Sequence, residues 1–272
     1  MKETDRQIRG TDVRVTHRCV ASCAHCASAG IPGNTDVLSV ETAERFLDEL
    51  TKRWGPPGWI LSGGEPMLCP ERVGELARLG ASRGAKPRLS TNGFWARTPE
   101  SAQHEIHGLT ASGITHFWIS TDSFHAEFVP VERVHILIEA LREAKAAFFV
   151  NFNYLLPNDE RLGCLGLPRV RPEIERDVHT LRIHHEIATI VGDGQHGWCR
   201  VFDLGRGARL IDALGDLAAE ARSVLDRYRD EITRPGVLEL AANSDVIYRC
   251  AVVGNAMSDW FPRFLDSLSA KE

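Results

Sequence analysis

The chain has 272 residues, 43% hydrophobic and 25% charged, which is the make-up of an ordinary soluble globular protein with room for one large core or two small ones. A formal charge of −5 and a pI near 6.1 leave no electrostatic footprint for nucleic acid, which disfavours RNA modification. No run of about 18 apolar residues exists, and the segment MKETDRQIRG is polar, so neither a membrane span nor a signal peptide is expected and the cytoplasm is the expected compartment. Seven cysteines, an odd number, fit a reducing compartment better than a disulfide framework.

Residues 11–16 (TDVRVT) alternate polar and apolar, which predicts a strand. Its carboxyl end delivers the chain to Cys19, Cys23 and Cys26, spaced C-x3-C-x2-C. Thiolates are soft ligands, and three with no fourth nearby suit an iron–sulfur cube with one iron left open. A structural zinc site wants four closed ligands and would have to recruit His17 or His25. Three incidental thiols are the remaining alternative. Residues 39–53 place Val40, Ala43, Phe46, Leu47 and Leu50 on one helical face, with Ser39 as the cap. The second strand, 59–62, runs into the sequence GGEP, where a glycine pair marks either an ordinary turn or a close approach of backbone. A helix over 70–83 has Pro70 at its start and Gly84 past its end. Strand 87–90 ends in STNG, helix 99–112 follows, then strand 116–120, helix 131–146 and strand 148–153.

This rhythm predicts a parallel sheet with right-handed crossovers, in which ligands gather at the carboxyl ends of the strands. The cysteines, GGEP, STNG, STDSFH and NFN all fall there. Farther on, residues 157–172 read as a loop and 181–191 as the sixth strand, although His184, His185 and Glu186 fit poorly inside it. A turn at 205–207 precedes an amphipathic helix over 212–232, then a hairpin (237–240 with 245–248) and a terminal helix over 259–268. The division expected is a core over 1–210 and a carboxy-terminal extension over 211–272 packed on it.

The cysteine loop and the GGEP turn downstream resemble the radical S-adenosylmethionine (SAM) enzymes, whose signature is C-x3-C-x-aromatic-C with GGE after the second barrel strand. His25 occupies the aromatic slot. The resemblance implies an α/β fold, an open partial (β/α)6 barrel. It implies one 4Fe–4S cluster on Cys19, Cys23 and Cys26, with SAM's amino and carboxylate groups on the fourth iron. Gly63, Gly64 and Glu65 would receive the SAM amino group through backbone carbonyls and a carboxylate. Ser90, Thr91 and Asn92 would lie near its carboxylate or ribose, and Ser120 and Asp122 would hydrogen-bond the same groups. Strand-end Ser, Thr, Asn and Asp also cap turns. Asn151 and Asn153 share one strand face and would meet adenine or substrate, or sit as satisfied core asparagines.

The activity so implied is reductive cleavage of SAM to a 5′-deoxyadenosyl radical that removes a hydrogen from a substrate. Flavodoxin or ferredoxin would be the electron donor. The STDSFH wording resembles branches that tailor ribosomal peptides or small natural products; a nucleotide or sugar is the alternative substrate. A non-catalytic iron–sulfur or zinc regulator is the alternative of another class, and Glu65 beside the cluster speaks against it. Cys69, Cys164, Cys199 and Cys250 are scattered without the SPASM or twitch auxiliary-cluster pattern, so a single cluster is expected. His125 is positioned to face substrate, while His179, His184, His185 and His196 read as surface or core histidines.

Overall fold

The computed structural model describes residues 8, 10–154, 172–191, 195–200, 209, 211, 237–243, 245–248, 251–258 and 260–269. Strands and helices alternate: β1 (Gly10–Thr16), α1 (Val40–Trp54), β2 (Gly58–Gly63), α2 (Pro70–Ser82), β3 (Lys86–Thr91), α3 (Pro99–Ala111), β4 (His116–Ser120), α4 (Val131–Glu143), β5 (Ala147–Tyr154), α5 (Pro172–Val191) and β6 (His196–Arg200). Then come β7 (Val237–Leu240), β8 (Asp245–Tyr248), β9 (Ala251–Asn255) and α6 (Trp260–Ser269). The strands form one open sheet in the order β6-β5-β4-β3-β2-β1-β7-β8-β9. Pairing is parallel from β6 through β1 to β7 and antiparallel through the β7–β8–β9 meander.

Local chemistry starts and stops these elements. The Ser39 hydroxyl accepts from Thr42 N at 3.0 Å and caps α1, and Thr98 with Ser101 forms a reciprocal capping box on α3. Pro70 and Pro99 occupy first-turn positions, where the missing N–H costs nothing. Along β1 to β5 the side chains alternate. Val13, Val15, Trp59, Leu61, Leu89, Phe117, Ile119 and Val150 are fully buried in one apolar cluster with helix residues such as Phe46, Leu76 and Leu137. The intervening residues Asp12, Arg14, Ser62, Ser90, Ser120 and Asn151 turn to the other face. Helix α6 docks on α1 through the Phe46–Phe261 stack (5.3 Å between centroids) and the Arg53–Asp266 ion pair at 2.7 Å.

The structure corrects the sixth strand. Residues 181–191 belong to helix α5, and β6 follows it at His196–Arg200. Asp177, Thr180, Ile183, Ile187 and Val191 are buried at intervals of three and four, the helical period, while His185 and Glu186 are exposed. β-branched Thr and Ile in that stretch mimic a strand, but the burial period decides. The hairpin and the terminal helix fall within one or two residues of expectation. Most of the 157–172 loop, the 205–207 turn, the 212–232 helix and the boundary at 210 lie outside the described residues.

Candidate active site

The carboxyl ends of β1 to β5 open into one cavity of about 340 Å³. Asp12 and Arg14 of β1 line it, followed by Cys19, Cys23, His25 and Cys26 of the loop. β2 contributes Ser62, Gly63 and Gly64, β3 contributes Ser90, Thr91 and Asn92, β4 and its loop Ser120 and His125, and β5 Asn151 and Asn153.

Cys19 and Cys23 are buried and Cys26 is half-buried, none of them in a disulfide. The loop is pinned by its own backbone: Cys19 N donates to Ile31 O and Ile31 N to His17 O, both at 3.2 Å. Asn92 Nδ2 approaches Cys19 Sγ at 4.0 Å from the end of β3. The donor set fits a cluster better than a single ion. A tetrahedral zinc with bonds near 2.3 Å would hold its sulfurs about 3.8 Å apart. Among the described residues, only His25, Asp122 and His125 bring three ligand atoms within 4.8 Å of one another; the three thiols do not. The two histidines a zinc site would recruit lie by carboxylates, His17 at 3.7 Å from Asp36 and His25 at 4.0 Å from Asp122.

The glycine pair of GGEP does make a close approach, to the backbone of the cysteine loop. Gly64 N donates to Thr16 O and Glu65 N to Arg18 O, both at 2.7 Å. A Cβ on Gly63 would meet Thr16 O at 2.2 Å, and one on Gly64 would meet Arg18 O at 2.1 Å. Gly63 also has φ +134°, which L side chains rarely adopt. Gly64→Ala is therefore expected to push the cysteine loop out of register. Iron bound per chain after reconstitution should fall at least several-fold in step with a lowered Tm, and unchanged loading would contradict this packing.

Glu65 lies behind the cavity wall. Its carboxylate is fully buried and accepts from Met67 N (3.0 Å), Thr91 Oγ1 (2.8 Å) and Asn92 N (2.8 Å). It thereby fastens the turn after β2 to the turn after β3. Burial pushes its pKa up to about 7, against the pull of those three donors and the His125 charge. Asp122, also fully buried, accepts from Phe124 N, His125 N, His125 Nδ1 and Asn153 Nδ2 at 2.9 Å and from Asn153 N at 3.2 Å. Burial raises its pKa, but the charges of His125 and His25 and these hydrogen bonds outweigh it, holding the carboxyl well below the usual range. His125 loses basicity to burial and regains more from Asp122, so its imidazolium persists above the ordinary pH. Asp122 with five donors needs no ion. It aims His125, and His25 meets that ring edge-on at 4.8 Å and lies tilted against Phe124 at 4.7 Å.

The fold thus brings Cys19, Cys23, Cys26, His25, Gly63, Gly64, Thr91, Asn92, Ser120, Asn151 and Asn153 to one cavity and sets Glu65 and Asp122 behind it. Sequence reading passed over Asp12, Arg14 and Ser62. The Ser62 hydroxyl donates to Asp12 Oδ1, and burial raises the Asp12 pKa against the nearby Arg14 charge and that hydrogen bond. The signal was present: two charges on alternate positions of a strand interior to a parallel sheet, where apolar runs are the rule, mark an inner face lined by a polar cavity. Cys69 ends a short 3₁₀ turn outside the cavity, its thiol pushed up by burial. Cys164, Cys250 and the Cys199 side chain lie outside the described residues. His184 bonds Tyr154 OH (2.8 Å) and His196 (3.0 Å), while His179 and His185 are exposed.

Comparison with known proteins agrees with this architecture. The family described as the Radical SAM superfamily matches residues 13–162. An AdoMet-dependent heme synthase of Methanosarcina barkeri is 35% identical over 148 residues, 50% of this chain and 40% of that protein. YydG of Bacillus subtilis, named for peptide biosynthesis, is 26% identical over 131 residues, 48% of this chain and 41% of that protein. The chain thus spans well under half the length of these two relatives. Streptococcus suis SuiB, solved bound to S-adenosylmethionine, superposes with a TM-score of 0.54 at 14% identity, covering 98% of this chain and 66% of that one.

Proposed function

Because the chain belongs to the radical SAM superfamily, whose cofactors are a 4Fe–4S cluster and SAM, we propose that it is a hydrogen-abstracting enzyme that tailors a ribosomal peptide or small natural product. The observation that carries the reading is the meeting of three thiols, His25 and the Gly63–Gly64 turn on the wall of one cavity. Cys19, Cys23 and Cys26 hold the cluster, and the Gly63 and Gly64 carbonyls receive the SAM amino group. When bound, that pair supplies one-electron cleavage of SAM and the power to take a hydrogen atom from carbon.

The rest is the work of this chain. Asn92, Ser120 and Asn153 offer amides and a hydroxyl to SAM's carboxylate and ribose, and His25 with Asn151 borders the adenine; the Thr91 hydroxyl is taken up by Glu65, Gly93 N and Trp95 Nε1. Glu65 acts at one remove, holding the 63–67 and 91–92 turns together. Asp122 likewise orients His125 and Asn153, and His125, its basicity raised by Asp122, presents its imidazole to the cavity. Asp12, Arg14 and Ser62 form the cavity's part nearest the strand interior and face the substrate. The likeness to YydG supports a peptide, whereas the Asp12–Arg14 floor favours a small polar molecule such as a nucleotide or sugar. The enzyme works in a reducing compartment, the cytoplasm, with flavodoxin or ferredoxin as reductant. Among the described residues no helix is long and apolar enough to cross a membrane.

Anaerobically reconstituted protein with SAM and dithionite should release 5′-deoxyadenosine and methionine. A cluster-loaded protein that left SAM intact would overturn the reading in favour of a regulator. Faster release on adding a short peptide encoded beside the gene would select the peptide; no response would select the small molecule.

A further inference from the structure

A second cleft, of about 120 Å³, lies against the cysteine loop and is lined by Val20, Phe94 and Phe128 together with Arg97 and Arg133. Val20 follows Cys19, so its Cα lies about 3.8 Å from the Cα of a candidate cluster ligand. Phe94 stands two residues past Asn92, whose amide approaches Cys19 Sγ at 4.0 Å. Arg133 Nη1 donates to Phe94 O at 2.8 Å and ties α4 to this wall. No part of the cleft belongs to the lining of the main cavity.

Its chemistry is that of an interface. Phe128 is 41% exposed, one of only four exposed large hydrophobic side chains among the described residues. Two of the others, Ile31 and Val37, flank the same loop, bridging Arg18 and Thr16. The cleft lining contains two arginines and no acid, on a chain whose formal charge is −5. Among the described residues neither Arg97 nor Arg133 takes part in an ion pair. Exposed aromatic area beside arginine is what protein interfaces enrich, and a local basic patch on an acidic chain selects a partner of opposite sign.

We propose that this cleft docks the reductant, a small redox protein with an acidic face, whose carboxylates meet Arg97 and Arg133 while its cofactor edge rests on Phe128 and Val20. The inference rests on the cluster assignment above. The step is a single electron transfer: the donor is oxidised by one electron, the cluster is reduced by one, and no bond forms or breaks.

The test follows the bleaching of the cluster's visible absorption in the holoprotein, mixed with either reduced flavodoxin or dithionite. Arg97→Glu and Phe128→Ser should each lower the second-order rate with flavodoxin about ten-fold or more at low salt. Arg97→Glu should also flatten the salt dependence. Arg97→Lys should keep most of the rate. Iron content, SAM affinity and the dithionite rate should stay at parent values. Unchanged flavodoxin rates in both variants overturn the proposal, and so does an equal loss with dithionite, which would be a structural effect. Loss of substrate turnover with parent-like flavodoxin rates would assign the cleft to substrate and overturn it too. A parent protein with no absorption for either reductant to bleach fails at the cluster assignment itself, a result distinct from all of these.

Discussion

Replacing Cys19, Cys23 and Cys26 together by alanine should take the reconstituted protein from about four irons per chain to almost none. It should also end 5′-deoxyadenosine formation. The size of the effect follows from where the thiols are: all three line one cavity, and Cys69, the other thiol with a described side chain, lies outside it. The loop itself should survive the change, because it is held by backbone bonds from Cys19 N to Ile31 O and from Gly64 N and Glu65 N to Thr16 O and Arg18 O. Far-ultraviolet circular dichroism close to the parent's would confirm that only the ligands are gone. The reciprocal change of Cys69, Cys164, Cys199 and Cys250 should leave about four irons and intact cleavage. Iron retained by the triple variant, or a parent with about eight irons falling to four in the reciprocal one, would place ligands elsewhere.

Glu65→Ala should be the most damaging single substitution outside the cysteines. It strands three buried donors, Met67 N, Thr91 Oγ1 and Asn92 N. Each unsatisfied group costs about 1–3 kcal/mol, so a total near 3 kcal/mol or more is expected. The Thr91–Asn92 turn is no longer fastened to the glycine turn, and the SAM dissociation constant should rise about ten- to a hundred-fold, the equivalent of roughly 1.4–2.8 kcal/mol. The pH dependence separates this account from a plain cavity. Burial moves the Glu65 carboxyl from 4.5 to about 7. Between those values the folded protein keeps a proton that the unfolded chain has released, so stability falls as pH rises through the window. The fall is at most about 3 kcal/mol and is flat on either side. In Glu65→Ala that contribution disappears from urea unfolding measured across the window. A slope identical to the parent's, or an unchanged SAM titration, would refute the role assigned to Glu65.

The local elements over residues 10–154 follow from short-range pattern. Ser39, Thr98, Pro70 and Pro99 are read by neighbours within one helical turn, and strand alternation needs only the next residue but one, so the order β1 to β5 and the placement of each motif at a strand's carboxyl end were legible. So were the cysteine loop and the glycine turn, because ligand spacing and a missing Cβ are properties of a few consecutive residues. Which groups face the cavity depended on packing between distant segments. Glu65 and Asp122 read as ligand-binding carboxylates, yet buried carboxylates settle where donors are densest. Half of those donors come from Thr91 and Asn92, 26 and 27 residues away from Glu65, and from Asn153, 31 residues away from Asp122. Asp12 and Arg14 became cavity residues only when strand pairing set them beside Ser62, Ser90, Ser120 and Asn151 on one face. Helix α5 shows the same limit: its Ile and Thr residues carry strand propensity, and burial of Thr180 against Ser123 (2.9 Å), 57 residues away, sides with the helix. A chain reports what its near neighbours impose, and the partners of buried polar groups are supplied from far along it.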